Sequence, residues 1–371
     1  ITEFEVHDNG EYYFVVEDIA GNKTLVPVTV DNFDKNAPSI DLTYDEEQWH
    51  NKEFTVDITF SDDRGIAKIS LPGYDDEIFD DKPSTVNKTY TISKKGTYTF
   101  KTYDEAGNES TETINVKYDS NAPEVSSVVL SPSTPTKESV NIVITSNDAA
   151  EDDENNSSGI KQISRVVSDD VDSKAEEPYE NNNGDEIFTE TFEVTDNGEY
   201  YFVIEDIAGN KKLVPVIVNN IDKTDPVITF DYDENQWHNK EFTVNVKFTD
   251  DFGISKISLP GYDDETLEDK PKTVERTYTV SKKGSYTFKV YDEAGNEAIE
   301  TIIIDKYDSM APVYVPDSET SDITVKLTPD VPTNMNVDIE ITAKDAAAND
   351  ENNSSGIRQI SRVTEKDINA E

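Results

Sequence analysis

Aspartate is the residue type through which this sequence could do chemistry. Asp-x-Ala-Gly-Asn occurs four times, at Asp18 to Asn22, Asp104 to Asn108, Asp206 to Asn210 and Asp292 to Asn296. Each copy is sound hairpin-turn chemistry, because glycine and asparagine tolerate positive φ and the aspartate can accept from backbone N–H groups. A second set opens four short segments that end in proline, beginning at Asp34, Asp119, Asp222 and Asp308. A third lies in the doublets Asp62-Asp63 and Asp250-Asp251. Calcium takes six to eight oxygens from carboxylates and carbonyls. If the turns and linkers meet, the expected ligands are Asp18, Asp34, Asp62, Asp104, Asp119, Asp206, Asp222, Asp250, Asp292 and Asp308. The same residues serve equally as turn caps and surface charge.

A second chemistry belongs to exposed aromatic rings that stack on a sugar. Trp49 and Trp237 occupy matching Gln-Trp-His-Asn-Lys sites, with Tyr74 and Tyr262 of the Leu-Pro-Gly-Tyr-Asp-Asp-Glu loops as partners. The alternative is a tryptophan packed ahead of a strand with a surface histidine, His50 or His238, beside it. Catalysis has little to build on. The chain has three histidines and no cysteine, and neither a nucleophile elbow nor a His-Glu-x-x-His zinc site is present.

The formal net charge of −46, from 33 basic and 79 acidic residues, argues against nucleic acid and anionic membranes as partners. No apolar run reaches the roughly 18 residues a membrane helix needs. Cysteine-free chains have no disulfide framework and no thiolate metal site. The first residues read as the interior of a domain, so targeting signals are uninformative.

Internal repetition sets what positions these residues. Shifting the sequence by 188 positions lays the segment from Phe4 onto that from Phe192, and the segment from Phe54 onto that from Phe242. A shift of 197 lays Asp153 to Val166 onto Asp350 to Val363. Two module types alternate. The first spans residues 34–119 and 222–308, and the second spans 120–221. Residues 1–33 match the second half of that second type, and residues 309–371 match its first half.

Within modules the hydrophobic period is two. Phe54, Val56, Ile58 and Phe60 alternate with polar residues, as do Val140, Ile142 and Ile144. This predicts half-buried antiparallel strands near 39–44, 53–60, 66–71, 77–79, 88–92, 97–103 and 109–117, and no helices. Seven short strands per module argue for a β-sandwich. Pro27 and Pro215 interrupt apolar runs and predict edge strands. Four Gly-x-Tyr-x-Phe motifs place Tyr12, Tyr98, Tyr200 and Tyr286 where a sandwich of the immunoglobulin type turns a tyrosine hydroxyl back onto the backbone. The fold expected is all-β, a tandem array of immunoglobulin-like β-sandwich modules. Proline-stiffened linkers would set neighbours nearly end to end as an elongated rod.

The segment from Asn147 to Glu186 carries 13 acidic and 3 basic residues. It lacks the glycine a helix-loop-helix calcium loop demands, and residues 168–186 read as a long solvated loop.

The ordered run of Trp and Asn before Phe-Thr-Val, then Asp-Asp-x-Gly-Ile-x-Lys-Ile, Gly-x-Tyr-x-Phe, Asp-x-Ala-Gly-Asn and Asp-Lys-x-x-Pro resembles tandem bacterial Ig-like repeats of large secreted and cell-surface proteins. The likeness is strongest over 34–119 and 222–308; the 120–221 module lacks the tryptophan and carries the acidic insertion. The resemblance implies a seven-strand sandwich, an extracellular or wall-associated location, and a non-catalytic stalk or adhesive role in which calcium can stiffen junctions. Other readings are modules that bind a glycan or host protein, or accessory modules of a larger secreted enzyme. The expected partners are neighbouring modules in the chain and a glycan or host surface protein.

Overall fold

The computed structural model describes residues 1–148, 156–316, 318–345 and 351–363. Among them every regular element is a β-strand.

Two compact units divide the chain. The first comprises Ile1–Val129, Ile142–Phe192 and Gly198–Ile217; the second comprises Leu130–Asn141, Glu193–Asn197 and Val218–Glu371.

The first unit opens with the hairpin β1 (Gly10–Glu17) and β2 (Lys23–Val30). There follow β3 (Ser39–Leu42), β4 (Trp49–His50), β5 (Phe54–Ser61), β6 (Ile66–Ser70), β7 (Glu77–Ile78), β8 (Thr85–Ile92), β9 (Gly96–Asp104) and β10 (Glu109–Tyr118). These make two sheets, ordered β3-β5-β8 and β4-β10-β9-β6-β7. In immunoglobulin letters they are A-B-E facing a sheet built on G-F-C, which makes the residues a β-sandwich of that class. The strands fall within a few residues of their expected ranges. The largest difference is β8, which starts three residues earlier than alternation suggested, because Val86 also reaches the core.

Alternation explains the sandwich energetically. Val56, Ile58 and Phe60 of β5 face Ile66 and Ile69 of β6 and Phe100 of β9, all buried, while the residues between them face solvent. Phe100 occupies the centre of the core, and burying such a ring contributes about 1.5–3 kcal/mol. The tyrosine corner is present: the hydroxyl of Tyr98 donates to the Lys94 carbonyl at 2.9 Å, and that of Tyr12 to Asp8 at 2.7 Å.

Next come β11 (Glu124–Ser131), β12 (Val140–Asn147), β13 (Ile160–Val166), β14 (Ala175–Glu180), β15 (Ile187–Val194), β16 (Gly198–Asp206) and β17 (Lys211–Val218). Their sheets are ordered β11-β12-β15 and β14-β13-β16-β17. Pro215 lies on β17 at the edge of its sheet, where a missing N–H costs no ladder bond. One expectation is corrected here. Part of the acidic stretch 168–186 is not loop but β14, which pairs antiparallel with β13 and is exposed along its whole length. Tyr179 anchors it edge-on against Phe192 at 5.1 Å, a contact that its polar composition concealed.

In the second unit, β18 (Val227–Asp231), β19 (Phe242–Thr249), β20 (Ile254–Ser258), β21 (Glu265–Thr266), β22 (Thr273–Val280), β23 (Gly284–Asp292) and β24 (Glu297–Ile304) repeat the first sandwich around Phe248 and Phe288. The unit also holds the hairpin β25 (Ile323–Thr328) and β26 (Asp338–Ala343).

Candidate functional site: carboxylate groups at three turns

Three groups of aspartates each bring one carboxylate oxygen per residue within 4.8 Å of one another. Asp119, Asp148 and Asp206 form the most buried group; Asp222, Asp250 and Asp292 form its counterpart in the second unit; Asp34, Asp62 and Asp63 form the third. The topology explains why. In a sandwich of this class the incoming linker, the turn after strand B and the turn between F and G lie at the same end, so one aspartate from each converges.

The local bonding repeats with the motif. After β16, Asp206 accepts the Asn210 backbone N–H at 2.7 Å and the Asn210 side-chain amide at 2.8 Å. The same amide donates to the linker carbonyl of Asp119 at 2.8 Å. Asn296 repeats this with Asp292 and the Asp222 carbonyl, at 3.1 Å for the latter. Asn108 does so with Asp104 and the Asp34 carbonyl, at 3.2 Å. The asparagine of Asp-x-Ala-Gly-Asn therefore ties the F–G turn to the linker, a role beyond the turn that its sequence suggested.

The turn after strand B supplies the middle carboxylate. Asp62 accepts from the Arg64 and Gly65 backbone, and Asp250 accepts from Phe252 and Gly253. Gly65 sits at φ +109° with the Lys82 carbonyl 2.3 Å from where a Cβ would stand, so both conformation and space demand glycine. In the 120–221 segment the corresponding residue is Asp148, which accepts from the Gly159 N–H at 2.6 Å and lies near the Ser157 and Ser158 hydroxyls. Ser158 also donates its N–H to Asp119 at 3.0 Å.

Asp148 was not among the expected ligands. A signal for it existed: Gly159-Ile160-x-x-Ile163 matches Gly65-Ile66-x-x-Ile69, which puts Asp148 in the place of Asp62 with an insertion between aspartate and glycine. The remaining expected ligands are placed differently. Asp104 is buried and held by Asn108 but is not in the Asp34 group, where Asp63 takes part. Asp18 is exposed and bonds to Asn22. Asp308 accepts the Ser355 N–H, and Asp345 beside it accepts that of Gly356.

The electrostatics are those of crowded acids. Burial, reinforced by Asp119 and Asp148 and opposed by the Asn210 bonds, pushes the Asp206 carboxyl up to about 7. Asp148 is raised by burial and then by Asp119. Asp292 is raised by burial, against the Asn296 bonds, with Asp250 adding to the rise. Two oxygens in these groups, Asp148 Oδ1 and Asp222 Oδ2, are buried and have no hydrogen-bond partner, in residues 1% and 2% exposed. An orphaned buried acceptor costs about 1–3 kcal/mol, more when charged. Three convergent carboxylates with an unfilled oxygen fit a hard divalent cation with oxygen ligands, and the absence of sulfur and imidazole in the groups disfavours softer metals.

The aromatic residues do not assemble into one platform. Trp49 lies on β4 beside β10, whereas Tyr74 lies between β6 and β7 at the opposite edge of that sheet. Tyr74 packs edge-on against Tyr90 and Tyr262 against Tyr278, at 6.0 and 6.1 Å. The histidines, rather than the tryptophans, make the stacked contacts. His50 lies on Phe54 and His238 on Phe242, both at 3.6 Å between ring centroids, while Trp237 is 42% exposed.

No protein-family model and no curated protein matches this chain. Solved structures do. The N-terminal eight Ig domains of Down Syndrome Cell Adhesion Molecule are 12% identical, with 98% of this chain and 49% of that one covered and a TM-score of 0.28. This chain thus spans about half the length of that protein's fragment. The fibronectin(III)-like modules of Clostridium thermocellum CbhA are 13% identical over 49% of this chain and 95% of theirs, with a TM-score of 0.22. The sialic acid binding region of a Streptococcus sanguinis adhesin is 13% identical over 73% and 78%, with a TM-score of 0.19. The strand order of its own sheets places this chain among tandem immunoglobulin-like sandwiches.

Proposed function

We propose that this chain is a non-catalytic, extracellular repeat segment of a surface protein, a spacer of immunoglobulin-like modules whose turn-and-linker ends bind calcium. The observation that carries this reading is the buried trio Asp119, Asp148 and Asp206 with its orphaned oxygen. A spacer needs stiffness at its linkers, and a cation held jointly by a linker aspartate and two turn aspartates supplies it. Asp119, Asp148 and Asp206 would hold one ion, Asp222, Asp250 and Asp292 a second, and Asp34, Asp62 and Asp63 a third, more exposed one. The ion would neutralise clustered charge and give the orphaned oxygens a partner. Extracellular calcium modules operate at dissociation constants of about 0.1–1 mM, which suits a protein outside the cell.

Calorimetric titration of the whole chain tests the reading. Calcium is expected to bind at the two buried groups with sub-millimolar to millimolar dissociation constants, and magnesium at least tenfold more weakly. Equal, weak heats from both ions would reduce the aspartates to turn caps. Scattering from the calcium-loaded chain tests the spacer role separately, and a compact spherical profile would remove it.

A further inference from the structure

The two hairpins β1–β2 and β25–β26 expose faces that their own repeats bury. Phe4 is 66% exposed where its equivalent Phe192 is 1%, and Val16 is 61% exposed where Ile204 is fully buried. On the other hairpin Ile339 is 65% exposed where Ile142 is fully buried, and further along Ile360 is 54% exposed where Ile163 is fully buried. Directly paired residues share a face, so Val325 with Ile341 and Leu327 with Ile339 form one apolar patch, as Phe14 with Val26 and Tyr12 with Val28 form the other.

The two faces are the halves of one sandwich. Residues 1–33 repeat 189–221, and residues 323–363 repeat 126–166. In the whole module, β16 lies between β13 and β17. Among the described residues β1 pairs with β2 alone, and residues 357–363, the repeat of β13, belong to no strand. Ser355 and Gly356 nonetheless donate to Asp308 and Asp345 as Ser158 and Gly159 do to Asp119 and Asp148. The half-module is already shaped for its missing partner.

We infer that residues 309–363 of one copy dock on residues 1–33 of a second copy, joining chains head to tail. The register follows from the whole module. β13 pairs with β16 through Ile163↔Ile204, Ser164↔Val203, Arg165↔Phe202 and Val166↔Tyr201. Ile360, Ser361, Arg362 and Val363 of one copy therefore pair with Val16, Val15, Phe14 and Tyr13 of the next. The docked F–G turn brings the Asn22 amide to the Asp308 carbonyl, as Asn210 meets Asp119. The contact is heterologous, so each copy keeps one free face and growth is open. With a net charge of −46 per chain, association strengthens as salt screens repulsion.

Sedimentation of the whole chain tests this, with chelator throughout so that the outcome is independent of the calcium reading. At about 150 mM salt the mass is expected to climb with concentration beyond the 41.6 kDa chain in whole-chain steps. Val16→Lys and Ile339→Lys alter exposed positions of the separate chain and each blocks one face, and circular dichroism checks that both stay folded. Each variant alone is expected to remain monomeric. Their equimolar mixture is expected to form a dimer of about 83 kDa, twice 41.6 kDa, and nothing larger. A monomer at every concentration, a self-associating Val16→Lys chain, or a mixture that forms no dimer would each overturn the inference.

Discussion

Replacing Asp148 by asparagine separates a cation site from a merely crowded cluster, because its effect should change sign with calcium. In chelator, Asp148 Oδ1 is buried and unpartnered beside the carboxylates of Asp119 and Asp206. Asparagine keeps an oxygen for the Gly159 N–H and places an amide donor where the orphan stood. Removing one like charge and filling an unsatisfied position should stabilise the calcium-free protein by about 1–3 kcal/mol. In calcium the native trio gains RT ln(1 + [L]/Kd). At about 10 mM ion and a Kd of about 0.1 mM that is roughly 2.7 kcal/mol. A module of about 100 residues shifts by about 4–8 °C per kcal/mol, so the native midpoint should rise by roughly 10–20 °C. The variant should not rise. Thermal unfolding followed by circular dichroism in calcium, magnesium and chelator reads all the combinations. A native protein that gains no more from calcium than from magnesium would refute the cation site, and a variant that keeps the calcium increment would refute Asp148 as its ligand.

The same trio sets a pH dependence without metal. Because Asp206 titrates near 7 in the folded chain and near 3.8 otherwise, the folded state holds a proton that the unfolded state has lost between those values. Chemical unfolding in chelator should therefore show stability present below pH 4 and lost as pH rises towards 7, by on the order of 4 kcal/mol, with no further loss from Asp206 above it. Asn296→Ala removes the amide shared by Asp292 and the Asp222 carbonyl and strands both acceptors in a buried site. It should lower stability by about 2–3 kcal/mol in urea titration. Phe288→Ala empties the centre of the second unit's sandwich and should cost about 3–5 kcal/mol by the same measurement. Trp237→Ala should leave stability within about 1 kcal/mol because the ring is largely open to solvent. If Trp237→Ala also abolished binding on a glycan array, a carbohydrate role would return.

The strands were legible because alternation is a local property. Phe54 to Phe60 states its own inward face, and the tyrosine corner names its partner four residues away, as Tyr98 with Lys94 and Tyr286 with Lys282 bear out. What could not be read locally was convergence across long separations. The Asn210 amide reaches the Asp119 carbonyl across 91 residues, and composition cannot distinguish that asparagine from an ordinary turn residue. His50 illustrates the converse. An imidazole beside a tryptophan reads as the polar member of the pair, yet the strand direction of β4 turns the histidine onto Phe54.

Asp148 was hidden by loop length rather than by chemistry. Between Asp62 and Gly65 the carboxylate accepts from its own tight turn, and the glycine then starts β6. Between Asp148 and Gly159 the same bond closes a loop more than three times as long, yet the strand that follows begins in the same way with Ile160 and Ile163 in the core. The constraint lies at the two ends of the loop, so its interior is free to lengthen and become acidic. The described end of that insertion uses its freedom at the linker: Asn156 donates its N–H to the Tyr118 carbonyl at 2.7 Å, immediately before Asp119. Tyr307 and Asn353 repeat the bond at 2.8 Å ahead of Asp308. The longer loop therefore grips the linker twice, through Asn156 to its backbone and through Ser158 to the Asp119 carboxylate, whereas the printed bonds of the short loop close on its own turn. Lengthening the insertion without moving Asp148, Gly159 or Asn156 should leave the trio intact, because none of its bonds depends on the residues between.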